Sequence, residues 1–363
     1  MFESVAISII AIDVGFINGE PITLPGIQTA EHMKVLGVVF VNSVRLMVKL
    51  NWDNLISRIA QIIWVHNMRC LTLQQKIILL NMFITAKAWY LASIVPPQNA
   101  HTAKLTAMMG TFLFRGLPAR VPMQQLARSE ERGGLNLQIP AIKSKALFFN
   151  RHLKEIGALP FYRAMLAENT PPSADFPCLR ILWQQIPALP QNLQQNPSSK
   201  QIHRIYVEQT ELPRVERNQP GLNWKKIWLN ISTKKLSSLQ RSQWYLLVNE
   251  KTAHRRLLNI IGRANDPMWQ QCMTEIETLK HKFCECPRVA VAWSYMQRRL
   301  TTLLGGWRRL SFEELLRPML SNISSATKYE ILKLFIKFID YIDKNVNETI
   351  DVSEIEFIVN LEE

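Results

Sequence analysis

Glycine and cysteine are both scarce in this chain of 363 residues, with 13 glycines and five cysteines. So few glycines, with 19 scattered prolines, exclude a collagen-like or low-complexity chain. The cysteines (Cys70, Cys178, Cys272, Cys284 and Cys286) are too few and too clustered for a secreted disulfide framework. A reducing, intracellular location is expected, nuclear or cytoplasmic. No lysine or arginine precedes Lys34, which excludes the basic start of a signal peptide. The richest apolar runs, Val5 to Ile12 and Ile77 to Ile84, fall short of the roughly 18 residues a membrane span needs. The chain has no phosphate-binding Gly-x-x-x-x-Gly-Lys-Ser/Thr loop, no Gly-x-Gly-x-x-Gly and no Gly-x-Ser-x-Gly elbow. Its seven aspartates include no adjacent pair, so the converging carboxylates of two-metal nucleotidyl transfer are missing. Neither a membrane nor a small-molecule substrate is expected as a partner.

What the chain has in excess is positive charge. The formal net charge is +14, with 47% apolar residues, a normal value for a globular protein. The excess sits in the middle. Residues 1–33 carry four acids and no base, and residues 322–363 carry nine acids and four bases. Residues 34–157 carry 16 bases against four acids, and residues 158–321 carry 23 against 12. A basic middle points to a polyanionic partner, RNA, DNA or an RNA–DNA hybrid.

Hydrophobic periodicity divides the chain. Residues 1–48 read as β-rich: Ser4 to Ile9 alternates with period two, and Val35 to Phe40 is a β-branched, apolar strand. Residues 49–157 read as helical. Trp52, Leu55, Ile56, Ile59, Ile62, Ile63 and His66 fall at helical spacing. Thr72 and Gln75 have capping-box spacing and open a second helix that runs to Leu91, apolar on most faces and so expected to be buried. Further helices are expected from Ala103 to Phe114 and from Ala141 to Glu155. Residues 158–222 read as a linker, because Pro187 to Gly221 is rich in Gln, Asn, Pro and Ser. Residues 223–321 return to helix, around Trp224–Ile231, Ser237–Arg256 and Val289–Leu304. Residues 322–363 hold an acidic terminal helix around Lys328–Lys344, on which Asp340 and Asp343 read as a solvated face. The expected fold is mainly α: a helical bundle, a small antiparallel β element at the N-terminus, and a helical C-terminal region able to bind zinc.

Two groups of residues could carry chemistry. Cys272, His281, Cys284 and Cys286 supply the thiolates and imidazole that zinc prefers, and four such ligands close a tetrahedron. The opening Cys-x-x-Cys of a zinc knuckle is absent, because Trp269 stands three residues before Cys272. The second group is basic. Arg115, Arg120, Arg128 and Arg132 lie around the Gly133-Gly134 loop, whose backbone N–H groups could approach an anion. Basic and aromatic residues also interleave between Trp224 and Trp244; the tryptophans there read as core anchors and the lysines as a wet face.

Several strings then line up in order: Lys34-Val35-Leu36-Gly37-Val38, Asn51-Trp52, Leu71 to Ile77, Lys87 to Tyr90, Gly110 to Gly116, Gly133 to Leu137, and Lys145 to Leu147. Cys272, Glu277-Thr278, His281, Phe283, Cys286-Pro287-Arg288 and Trp293 complete the series. From about residue 20 onward this series resembles the C-terminal part of the reverse transcriptase polyprotein of insect non-LTR (LINE-like) retrotransposons. The resemblance implies that Lys34 to Phe40, with Gly37 at the turn, forms the primer grip. It implies that Trp52 to about Arg151 forms a thumb that tracks a template–product duplex, with Lys143 and Lys145 among its basic contacts. Cys272, His281 and Cys286 match the last three ligands of that family's Cys-Cys-His-Cys region. The family's catalytic aspartates lie upstream of the primer grip and have no counterpart here. The expectation is a truncated, nucleic-acid-binding fragment that is not an enzyme by itself, alone or beside a separate palm-containing chain. The alternative is a decayed or domesticated remnant that acts as a structural or interaction protein.

Overall fold

The computed structural model describes residues 16–17, 20–21, 32–41, 43–116, 120–158, 198–270, 272–307, 309–320 and 322–344. The described residues are mainly helical, with short antiparallel strand pairs near the N-terminus. The expected strand from Ser4 to Ile9 and most of the expected linker lie outside them. The chain forms two compact units, each discontinuous in sequence. The first holds residues 1–66, 84–108 and 143–199; the second holds 67–83, 109–142 and 200–363.

In the first unit, strands β1 (Phe16–Ile17) and β2 (Glu20–Pro21) pair, and β3 (His32–Val35) pairs with β4 (Val38–Val41). Val35 to Phe40, one strand by its composition and a hairpin turning at Gly37 by the resemblance, is two strands folded about Leu36 and Gly37. Both turn residues have positive φ, +49° and +86°, a conformation that a type I′ turn requires at both central positions. Glycine accepts it freely, whereas leucine does not. Val38 and Phe40 alternate inward on β4, and β3 stays exposed. Helix α1 (Val44–Asn67) starts eight residues before the expected Trp52. Asn51 fastens it to the hairpin: its side-chain oxygen accepts from the Val39 N–H (2.9 Å), and its amide donates to the Val39 carbonyl (2.7 Å). Trp52 is buried, donates Nε1–H to the Val95 carbonyl at 3.0 Å, and stacks on His101.

In the second unit, the capping box at Thr72 forms as its spacing requires: Gln75 N–H donates to the Thr72 hydroxyl, and the Gln75 side chain accepts from the Thr72 N–H. The helix it opens is not continuous. α2 (Leu73–Leu79) passes into a π-turn (Leu80–Ile84), and α3 (Ala86–Ala92) follows in the first unit. Nor is the segment buried throughout: Ile77 and Leu80 are inside, but Ile78, Met82 and Phe83 are more than half exposed. The π-turn widens the helix, so the apolar positions of the sequence no longer share one inward stripe. Helix α4 (Asn99–Phe114) begins in the first unit and ends in the second, and it buries Leu105, Met109 and Phe112. α5 (Met123–Ala127) follows in the second unit, and α6 (Pro140–Ala158) lies in the first from residue 143 onward.

The Gln- and Pro-rich segment is not a linker at its described end. Residues 199–218 contain α7 (Ser199–Glu208) and α8 (Arg214–Asn218), and α7 buries Ile202 and Val207. Helices α9 (Trp224–Ile231) and α10 (Ser238–Val248) carry the largest buried side chains, Trp228 and Trp244, so the tryptophans are core anchors. The single helix expected to reach Arg256 breaks after Val248, and α11 (Arg255–Ile260) is separate. α12 (Ala290–Leu304), α13 (Phe312–Leu316) and α14 (Ser325–Lys344) complete the unit. Trp293 of α12 packs edge-on against Phe338 of α14. Asp340 and Asp343 are not a free solvated face. Asp340 accepts from the Gln243 amide at 3.0 Å, and Asp343 pairs with buried Lys282 at 2.5 Å.

Candidate functional site

The Cys/His residues come together through two irregular turns. Between Pro267 and Glu277 the chain folds back on itself: Trp269 N–H donates to the Glu275 carbonyl, and Glu277 N–H donates to the Pro267 carbonyl. Met273 at its tip has a φ of +55°. This loop presents Cys272. The second turn is a π-turn, His281–Glu285, closed by the Cys286 N–H donating to the His281 carbonyl at 3.0 Å. A bond between residues five apart brings His281 and Cys286 toward the same side, where an α-helical turn would separate them. The ligand atoms of Cys272, His281 and Cys286 all lie within 4.8 Å of one another, and Cys272 Sγ is 3.3 Å from His281 Nε2.

The chemistry of the donors suits a metal ion. Bonds of about 2.3 Å to sulfur and 2.0 Å to nitrogen set tetrahedral ligand atoms roughly 3.5–3.8 Å apart, close to what the group provides. Burial works against ionisation of Cys272. Hydrogen bonds from the Thr274 hydroxyl and N–H, from His281 and from the Glu275 N–H outweigh it and hold this thiol down at about 6. Cys286 is fully buried, and burial pushes its thiol up. Two thiols and an imidazole could thus hold a metal ion. Cys284 does not join them: the turn that aligns His281 with Cys286 leaves Cys284 outside the group. Trp269 supplies no ligand, and its buried ring stands edge-on to His281. Cys284→Ser is therefore expected to leave metal content unchanged. Elemental analysis checks this, and loss of metal in that variant would mean that the ligand set is different.

The basic residues singled out in the sequence are divided between the two units. Lys34 is exposed on β3 and Gly37 is in the hairpin turn. Lys145 is exposed on α6, and Lys143 is half-buried there, its pKa lowered by burial. These four belong to the first unit, and Arg115, Arg120, Arg128, Arg132, Gly133 and Gly134 to the second.

Around the glycine loop the structure departs from an anion-binding arrangement. Arg128 is buried and donates Nη2–H to the Thr210 carbonyl at 2.5 Å. The Gly133 N–H donates to the Glu130 carbonyl and the Gly134 N–H to the Ser129 carbonyl, so neither is turned to a ligand. Both glycines are buried because other groups press on them: a Cβ on Gly133 would lie 2.7 Å from the Trp228 ring. The charges nearby are balanced. Arg204 contacts Glu131 and Glu208, Arg132 contacts Glu208, and Lys225 contacts Glu131. Arg115 and Arg120 are different, since no carboxylate among the described residues pairs with either.

No family model matches the chain, and no curated protein matches it. Among the described residues, no helix is long and apolar enough to cross a membrane.

Proposed function

We propose that the chain holds nucleic acid, as the thumb and zinc-binding part of a LINE-like reverse transcriptase would, and that it performs no polymerisation by itself. The observation that carries this reading is a set of exposed bases among the described residues of the first unit. Lys34, Arg45, Lys49, Arg58, Lys87, Lys104 and Lys145 are exposed there, and no carboxylate among the described residues pairs with them. The only acid in that unit with a described side chain is Asp53, which sits 3.4 Å from His101. The first unit carries 12 bases and eight acids over its full sequence. Among its described side chains these seven exposed bases face one acid, and a polyanion bound to them would release its counterions. The ordered motif series supports the same reading, with the hairpin at Leu36-Gly37 in the place of the primer grip. The Cys272, His281 and Cys286 group would take zinc, the ion that best suits two thiolates and an imidazole. An intracellular location, nuclear or cytoplasmic, fits such a partner.

Fluorescence anisotropy with a labelled RNA–DNA hybrid tests this. The wild-type chain is expected to bind with a Kd of about 1 µM or tighter at low salt. Lys34→Gln, Arg45→Gln and Lys49→Gln together should weaken binding at least about ten-fold and flatten its salt dependence by about three phosphate contacts. All three side chains are exposed, so stability should change little. Wild-type protein that leaves the hybrid unbound at about 10 µM would contradict the reading.

A further inference from the structure

A cavity of about 250 Å³ in the second unit is lined by Lys76, Arg115 and Arg120 on a wall that includes Leu71, Leu113 and Leu246. Lys76 is the unusual member. It is only 5% exposed, on a helix whose other buried residues are Gln74 and Ile77. Its ammonium donates to the Phe112 and Leu113 carbonyls at 2.8 and 3.2 Å, the last turn of α4. Those two carbonyls use two of its three N–H donors. Arg115 follows the same helix end in a left-handed conformation, φ +53°, where glycine is the usual residue. No carboxylate among the described residues pairs with Lys76, Arg115 or Arg120. Buried charges are normally paired. Here three positive groups line one cavity, and the buried one meets two backbone carbonyls and, at 5.3 Å, the face of the Phe112 ring, but no carboxylate among the described residues.

We infer that this cavity is an anion site that receives a phosphate group, with Lys76 at its floor and Arg115 and Arg120 at its mouth. The leucines exclude water from one side, which strengthens the attraction between an entering anion and the three cations. A tetrahedral oxyanion has acceptors enough for the third Lys76 N–H and for both guanidinium forks. Burial and the neighbouring Arg115 charge pull the Lys76 pKa down to about 8, as expected of a cation that lacks its counter-charge. The phosphate can come from free inorganic phosphate or from a nucleic-acid strand. The second source rests on the nucleic-acid reading above, whereas the pocket itself does not.

Lys76 reports on occupancy because it lines the cavity: a reagent small enough to enter can acylate the amine, whose lowered pKa leaves part of it deprotonated near pH 8, and an anion seated there would block it. Labelling of Lys76 in the full chain, read by peptide mass spectrometry, is compared in chloride, in inorganic phosphate, and with a 5′-phosphorylated single-stranded oligonucleotide, at matched ionic strength. Protection of several-fold by both phosphate and oligonucleotide supports a general phosphate site. Protection by the oligonucleotide alone supports a strand site. Arg115→Gln with Arg120→Gln should remove the protection and lower the salt slope of oligonucleotide binding by about two. Equal labelling in all three solutions would overturn the inference, as would protection by a Glu-rich peptide but by neither phosphate source. If the oligonucleotide binds but Lys76 is not protected, the pocket fails and the wider reading stands. If phosphate protects Lys76 but no nucleic acid binds, the pocket stands and the wider reading fails.

Discussion

Gly134→Ala is expected to cost about 4 kcal/mol or more of stability, enough to unfold the second unit of a marginally stable protein. A Cβ at this position would lie 2.0 Å from the Arg128 carbonyl oxygen, 2.3 Å from its carbonyl carbon and 2.6 Å from its Cα. All three are backbone atoms, so no side-chain rotation relieves the clash. Nor is the backbone free to move: the Arg128 carbonyl accepts from the Asn136 N–H at 2.9 Å, and Leu126 accepts from both Leu135 and Leu137. Gly133→Ala should cost less, because its clash is with the Trp228 ring, although its φ of +74° adds strain. Gly110→Ala is the control. It sits inside α4 with nothing within 4 Å of the new methyl group, so it should stabilise by about 0.5–1 kcal/mol. Urea unfolding followed by tryptophan fluorescence checks all three. A Gly134→Ala midpoint equal to wild type would mean that the loop has a different conformation.

The second large effect is expected at the Cys272, His281 and Cys286 group, which could hold a metal ion. Stripping it with a chelator, or Cys286→Ser, is expected to cost about 3 kcal/mol, equivalent to a fall of roughly 6–12 °C in Tm. Closed structural zinc sites with four protein ligands contribute more, about 10–16 kcal/mol in apparent terms. Three ligands supply less, and two leave little. Cys286 is the ligand to test because it is fully buried. The effect should be confined to the metal: chelator added to Cys286→Ser should change its Tm no further. Protein purified without chelator that carries less than about a tenth of a mole of zinc per mole would contradict a stable site.

Local signals were legible in the sequence and non-local ones were not. The capping box read at Thr72 forms because every group it needs lies within four residues. Most helices stand where the period of 3.6 places them. The two π-turns were invisible, since nothing in Leu80 to Ile84 or His281 to Glu285 distinguishes a wider turn from an α-helical one. One of them exposes Met82 and Phe83, and the other separates Cys284 from its neighbouring ligands. The Gly133-Gly134 loop was misread for a related reason. The groups that enforce its glycines include Trp228, and Tyr245 donates its hydroxyl proton to the Gly133 carbonyl at 2.9 Å from 112 positions away. Lys76 carried no signal either, because only the fold brings it beside Arg115 and Arg120.

The measurement that tests the central claim most directly is the dependence of RNA–DNA hybrid affinity on salt, taken as log Kobs against log salt concentration between about 50 and 200 mM. If the seven exposed bases described in the first unit contact phosphates, at least five of them should contribute. The slope should then be about −4 or steeper, with a loss of several hundred-fold in affinity across that range. A slope flatter than about −1 would contradict the account, because these bases would then be ordinary solvated charge.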